Sequence, residues 1–138
     1  MYENKNIAVV GMARSGIACA EYLKELGADV AVYDKATFDK VMDTAISLMD
    51  KGITVYCGTN EIELEETDLI VVSPGVPPST SFFEEAKEFG IEVISEIELS
   101  YRLAKCPIVA VTGTNGKSTT TNLLSHIFKY NNKKLFVQ

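Results

Sequence analysis

Five short apolar segments punctuate the first 94 residues of this chain: Ile7-Ala-Val-Val10, Val30-Ala-Val-Tyr33, Ile53-Thr-Val-Tyr56, Leu69-Ile-Val-Val72 and Ile91-Glu-Val-Ile94. A brief apolar run closed by a turn is what a strand covered on both faces of a parallel sheet looks like, because no solvent-facing alternation is required. Helical patterns or short turns separate the runs. Ile17, Ala20, Leu23 and Leu26 recur at helical spacing over 15–26, with Gly27 as the stop. Phe38, Val41, Met42, Ala45 and Met49 make a second stripe, closed by Gly52. The link from Cys57 to Asp68 is short and acidic. Ser81-Phe-Phe-Glu84 reads as a capping box opening a helix with Phe82, Phe83, Ala86 and Phe89 inward. Ser95-Glu-Ile-Glu98 reads as another, opening a helix to about Lys105 with Ile97, Tyr101 and Ala104 on one side, before Cys106-Pro107 breaks it. The alternation predicts an α/β fold with a doubly wound parallel sheet over 1–94.

In such sheets ligands lie outside the carboxyl ends of the strands. Three features fall there: the turn Gly11-Met-Ala-Arg-Ser-Gly16, the pair Asp34-Lys35, and the loop Ser73-Pro-Gly-Val-Pro-Pro78, which prolines 74, 77 and 78 hold rigid. The first two approximate the fingerprint G-x-G-x-x-G followed by an acid about 20 residues on, so the sheet is predicted to be Rossmann-like and to bind a nucleotide. The middle glycine is replaced by Ala13, which places a Cβ where a pyrophosphate would come closest.

A second signature follows at Ile108-Val-Ala-Val-Thr-Gly-Thr-Asn-Gly-Lys-Ser-Thr-Thr120. An apolar run, expected to be a strand, ends in Gly113-Thr114-Asn115-Gly116 and reopens as a helical pattern at Lys117. Such a turn aims successive backbone amides and a helix dipole at a phosphate. Lys117 would reach the β and γ phosphates, and the Ser118 hydroxyl would sit on Mg²⁺. The general pattern G-x-x-x-x-G-K-[ST] wants glycine at 111, where this chain has Val111. Leu123, Leu124, Ile127 and Phe128 form an apolar stripe on the helix, and the lone His126 beside it reads as a solvated or core histidine. Lys134-Leu-Phe-Val137 reads as one more strand. The organisation expected is a nucleotide-binding domain over 1–94, a connecting helix over 95–106 and, over 107–138, the first β-α-β unit of a P-loop ATP-binding domain. One such unit supplies neither the acidic Mg²⁺ residue nor the flanking strands of a phosphate-loop domain, so the chain reads as part of a longer protein.

Composition narrows the partners. Thirteen Lys+Arg against 19 Asp+Glu give a net charge of −6, with no basic run, so a nucleic-acid partner is not expected and phosphates must be held locally. The 3 cysteines, Cys19, Cys57 and Cys106, lack metal or disulfide spacing and suit a reducing cytoplasm. The apolar run ahead of Gly11 is too short for a secretory core or a membrane span.

Together Gly11–Gly16, Asp68-Leu-Ile-Val-Val-Ser-Pro-Gly-Val76, Glu96-Ile-Glu-Leu99 and Val111–Thr121 make the chain resemble the ATP-dependent Mur ligases of bacterial peptidoglycan synthesis, most closely the branch that adds D-glutamate. The displaced glycine of the phosphate turn and the non-glycine at 13 are forms found in that family. The alanine-adding branch usually carries His where this chain has Asn115, and the folate-polyglutamate relatives lack the UDP domain. The resemblance implies an enzyme of three domains, cytoplasmic and monomeric, that uses ATP and Mg²⁺. It would phosphorylate the carboxylate of UDP-N-acetylmuramoyl-L-alanine and let the amine of D-glutamate displace the phosphate. It also implies that Arg14, Ser15 and Gly16 flank the UDP, that Asp34 and Lys35 lie by the uridine, and that Ser73, Pro74 and Gly75 close that pocket. Gly113, Thr114, Asn115, Gly116, Lys117, Ser118 and Thr119 would hold the ATP phosphates, with Lys117 the catalytic residue and Ser118 the metal contact. Lys35-Ala36 departs from the Thr-Arg of some relatives. The remaining catalytic groups would lie beyond Gln138, so these residues alone are expected to be inactive. Two other readings compete: an NAD-dependent oxidoreductase, from Gly11, Gly16 and Asp34, and a non-catalytic nucleotide-sensing module.

Overall fold

The computed structural model describes residues 1–134. It divides into two compact units, Met1–Leu103 and Ala104–Gln138.

The first unit is built from β1 (Asn6–Val10), α1 (Arg14–Glu25), β2 (Asp29–Asp34), α2 (Phe38–Asp50), β3 (Thr54–Cys57), a 3-10 turn at Leu64–Glu66, β4 (Leu69–Val72), α3 (Phe82–Glu88), β5 (Glu92–Ser95) and α4 (Glu96–Leu103). The strands form one parallel sheet in the order β3-β2-β1-β4-β5. The five apolar runs are therefore its five strands. β1 lies at the centre, and its Val9 and Val10 point to opposite faces, both 0% exposed. On one face Ile7, Val9, Val30, Val32, Val71 and Ile94 meet Ala20 and Leu23 of α1, Leu48 of α2 and Leu99 of α4. On the other, Ala8, Val10, Tyr33 and Ile70 meet Phe82 and Ala86 of α3, with Ile62 and Leu64 from the β3–β4 link. Each fully buried aliphatic side chain contributes about 1.5–3 kcal/mol, so two dry faces account for the strands carrying so few polar residues.

Helices α2 and α3 bury only part of the face the sequence suggests, and α4 buries a different one. In α2 the expected Val41 and Ala45 turn inward together with Leu48, whereas Phe38, Met42 and Met49 are exposed, and the backbone at Val41 leaves helical geometry (φ −126, ψ 15). In α3 Phe82 and Ala86 are buried, but Phe89 is 56% exposed at the helix end. Ser81 is already helical and makes no side-chain cap, so that capping box does not form. In α4 the buried side is Leu99 and the half-buried Leu103, whereas Ile97 and Tyr101 are exposed. The same orientation forms a fork on the exposed side: both terminal nitrogens of Arg102 bond the Glu92 carboxylate of β5 at 2.8 and 2.7 Å while its Nε bonds Glu98 at 2.9 Å. The Ser95 hydroxyl does accept the Glu98 amide, at 3.1 Å, as a capping box requires, but the Glu98 carboxylate goes to Arg102 instead of returning. Read from the sequence as a connector, α4 packs against α1, β4 and β5.

In the second unit α5 spans Lys117–Tyr130. The run Ile108–Val111, expected as a strand, is not one: Ile108 and Val109 are exposed, and among the described residues no neighbouring strand pairs with it. An isolated extended segment has no ladder to hold it. Leu123, Ile127 and Phe128 are exposed as well, and so is His126, in keeping with a solvated histidine. The expected strand at Lys134–Val137 falls, apart from Lys134, outside the described residues. Among those residues no helix is long and apolar enough to cross a membrane.

At the amino end of the sheet, Asp68 accepts the Lys5 ammonium at 2.7 Å and the Asn6 amide at 2.8 Å, stapling the start of β4 to that of β1. Those bonds, the one from Lys5 first, hold its carboxyl below the usual range. A carboxyl whose folded pKa is lowered stabilises above its unfolded value, about 3.9, and loses that contribution as pH falls through the folded one. The staple is solvent-exposed, so Asp68→Asn should cost less than about 1 kcal/mol at pH 7. In urea titrations the gap to wild type should close as the pH drops below about 4.

Candidate nucleotide-binding site

The carboxyl ends of β1, β2 and β4 meet at one corner of the first unit, held by backbone. The Gly11 amide donates to Tyr33 O at 2.8 Å, and the Ser73 amide to Val10 O at 3.0 Å. The Ser73 hydroxyl donates to Gly11 O at 3.4 Å. The Asp34 carboxylate accepts the Met12 amide at 2.5 Å through Oδ2 and the Ala36 amide at 2.8 Å through Oδ1. Gly11 has φ +102, and a Cβ there would lie 2.9 Å from Ser73 Cβ. A Cβ on Gly16 would lie 2.0 Å from Gly11 O, so the first turn of α1 rests directly on the end of β1. Gly16 is demanded by contact with backbone, and Gly11 by its left-handed φ and the Ser73 side chain against it.

The structure thereby brings 11–16, 34–36 and 73–76 to one place, but the named side chains are not equivalent. Arg14, Lys35, Pro74 and Gly75 are exposed, Ser15 and Asp34 half-buried, and Gly16 and Ser73 buried. A further segment, missed in the sequence, joins them. The amides of Gly58 and Thr59 donate to Ala36 O at 2.9 Å and Asp34 O at 3.1 Å, tying the exit of β3 to the corner. The signal was available, since Gly58-Thr59-Asn60 also follows the carboxyl end of an apolar run. Burial first, and then the negative charge of Asp34, pushes the Cys57 thiol up, which keeps it neutral beside the corner.

In the second unit Gly113 (φ +151) and Gly116 (φ +78) make a turn that a side chain would strain. The Lys117 ammonium folds back to donate to Gly113 O at 2.7 Å. The first bond of the α5 ladder runs from Thr120 N–H to Gly116 O at 2.9 Å, so the amides of Lys117, Ser118 and Thr119 lie ahead of it, free for an acceptor. Residues 113–119 are all exposed.

One charge pattern unites the two turns. The first turns of α2, α3, α4 and the 3-10 turn each contain Asp or Glu, the ordinary complement to a helix dipole. Those of α1 and α5 contain none, and their cap positions, Ala13 and Gly116, offer no side-chain acceptor. In a chain of net charge −6, the two helix starts without an internal anion among the described residues are the two that follow glycine turns. Both turns therefore fit phosphate groups. The fit to Mg²⁺ is thinner: Ser118 offers one exposed hydroxyl, and among the described residues no His, Cys, Asp or Glu cluster could hold a metal ion.

The sheet order and the glycine corner define a Rossmann-like α/β protein. More narrowly, the chain belongs to the family described as Mur ligase MurD-like, N-terminal domain, whose profile matches residues 5–95. Curated relatives include the UDP-N-acetylmuramoylalanine–D-glutamate ligase of Enterococcus hirae, 46% identical over 123 residues that cover 88% of this chain and 26% of that protein. The enzyme of the same name from Bacillus cereus strain G9842 is 44% identical over 135 residues, covering 96% of this chain and 30% of that protein. The chain thus spans less than a third of the length of these relatives. Among solved structures, a murein peptide ligase from Psychrobacter arcticus 273-4 matches with a TM-score of 0.61 and 24% identity, over 94% of this chain and 27% of that one. A dipicolinate synthase from Bacillus subtilis matches at 0.52 and 15%, over 94% and 47%. Both structural likenesses concern the fold alone.

Replacing Gly16 by Ala drives a methyl into a main-chain oxygen with no flexible side chain to yield. Gly16→Ala should cost about 3 kcal/mol or more, the upper range for overpacking. A urea midpoint within error of wild type would show that the corner is not closed as described.

Proposed function

We propose that the chain is the UDP-substrate-binding part, together with the ATP phosphate turn, of an ATP-dependent ligase that adds D-glutamate to UDP-N-acetylmuramoyl-L-alanine in cytoplasmic peptidoglycan synthesis. The observation that carries this reading is the pair of acid-free, uncapped helix starts behind glycine turns. The similarity of almost the whole chain to ligases of that name supports the choice of substrates.

On this reading Arg14 and Lys35, exposed beside the corner, supply positive charge to a diphosphate, and Ser15, Gly16, Ser73, Pro74 and Gly75 shape the pocket. Asp34 lies at the uridine side. A carboxylate is a poor acyl donor, and bound ATP would supply the phosphoryl group that turns the substrate's L-alanine carboxylate into an acyl phosphate, from which phosphate leaves as the D-glutamate amine attacks. The chain's own contribution is to cradle the phosphates in the amides of Gly113–Thr119, to place the Lys117 charge on them and to offer Ser118 to Mg²⁺. The whole enzyme is proposed to act as a monomer.

By itself this turn should hold nucleotides weakly. An exposed helix-end charge interaction contributes about 0.3–1 kcal/mol, whereas micromolar binding needs about 8 kcal/mol. The 138-residue chain should accordingly show no D-glutamate-dependent phosphate release. In a longer chain bearing the remaining domains, Lys117→Ala should lower that release about 100-fold or more.

Thermal unfolding tests the first unit. UDP or UDP-N-acetylmuramoyl-L-alanine should raise Tm, with stabilisation approaching about 2.7 kcal/mol at a hundredfold excess over Kd. NAD, the ligand of the competing oxidoreductase reading, should not. Stabilisation by NAD with none by UDP would overturn the proposal in favour of an oxidoreductase.

A further inference from the structure

In a nucleotide-binding parallel sheet, the acid at the end of the second strand ordinarily accepts the ribose hydroxyls. Asp34 occupies that position, but its geometry serves another purpose. Oδ2 is held by the Met12 amide at 2.5 Å and Oδ1 by the Ala36 amide at 2.8 Å, so each oxygen already has a backbone donor. The Met12 amide lies 22 residues upstream, inside the 11–16 turn. The main-chain oxygen of Asp34 accepts the Thr59 amide as well. One residue thus ties three loops together, and a ribose that bound the same carboxylate would have to share it with the amide that holds the turn.

We propose that Asp34 is a positioning residue: it acts on the nucleotide only by fixing the Met12 amide, and through it the course of Ala13–Gly16 into α1. This deepens the nucleotide reading of the corner and rests on it. Side-chain recognition is then left to the exposed Arg14 and Lys35, and the corner does not read ribose hydroxyls through Asp34.

The test combines amide NMR of the 138-residue chain with titration calorimetry, using UDP and 2′,3′-dideoxy-UDP as probes. In the free protein the Met12 and Ala36 amide protons should resonate downfield, as partners of a carboxylate. In Asp34→Asn the Met12 signal should move upfield, since a carboxamide has one oxygen and turns an NH₂ toward the other donor. That variant should bind UDP about tenfold more weakly, equivalent to about 1.4 kcal/mol, and should lose the same factor toward dideoxy-UDP, both measured well below the unfolding midpoints. In wild type saturated with UDP, the Met12 signal should stay downfield.

A penalty that vanishes with dideoxy-UDP would make Asp34 a direct ribose contact and sink the inference. So would an upfield move of Met12 when UDP binds, or a lowered unfolding midpoint with unchanged affinity, which would make the role merely structural. If Asp34→Asn does not fold, the wild-type Met12 signal with and without UDP decides alone. Wild type that binds neither probe would sink the nucleotide reading and this inference together, whereas unequal penalties would sink this inference only.

Discussion

The first unit depends on the double pairing of β1. Its residues Ile7–Val10 bond β2 on one side and β4 on the other, and the same strand separates two dry layers of side chains. Because both neighbours run parallel to it, all three strands deliver their exits to the same edge. The chain leaving β1 has to turn beneath the exits of β2 and β4, in a space where backbone passes backbone. Gly16 satisfies that constraint against Gly11 O, Gly11 leaves room for the Ser73 side chain, and Tyr33 O, Val10 O and Ser73 supply the bonds that keep the turn from opening. The corner is thus a consequence of strand order: another arrangement of the same five strands would not have placed Ser73 over Gly11.

Charge placement adds a second layer that the fold does not require. A sheet of this kind would stand equally well with an acid at the start of α1, and most of the other helices have one. Leaving α1 and α5 without such a group gives up the modest stabilisation that a matched dipole brings. The two positions where stability is forgone are the ones where an external anion can replace the missing carboxylate, and this links the local energetics of a helix end to ligand choice.

Much of the architecture was legible because the strands are covered on both faces. Such strands show as apolar runs wherever they sit, so all five positions could be read, as could the exit loops that face the ligand edge. Which face a helix turns inward was harder. α4 carries two apolar rows, Leu99 with Leu103 and Ile97 with Tyr101, and the first is the buried one, with the Arg102 fork onto Glu92 matching that orientation. No periodicity reports a pairing ten residues away across a strand. The Val41 distortion of α2 likewise has no Gly or Pro to announce it. At the site, residue types pointed to the right loops but not to the job of each side chain. Asp34 and Ser73 read as groups facing a ligand, yet their polar atoms bond the 11–16 backbone, and the Gly58–Asn60 segment passed unnoticed. The run at Ile108–Val111 has the composition of a strand but, among the described residues, no neighbour to make it one.

Tyr33 on β2 and Tyr56 on β3 face each other in register, their rings stacked at a centroid distance of 4.7 Å with 15° between planes. The chain has 6 tyrosines and no tryptophan, so its near-ultraviolet signal belongs to tyrosine. Two cofacial phenols couple their transitions and quench each other's emission, and this pair spans the bond row by which the outermost strand is attached. The protein therefore carries its own optical gauge of edge-strand detachment. Peeling of β3 would register as a loss of tyrosine dichroism and a gain in fluorescence, without any label.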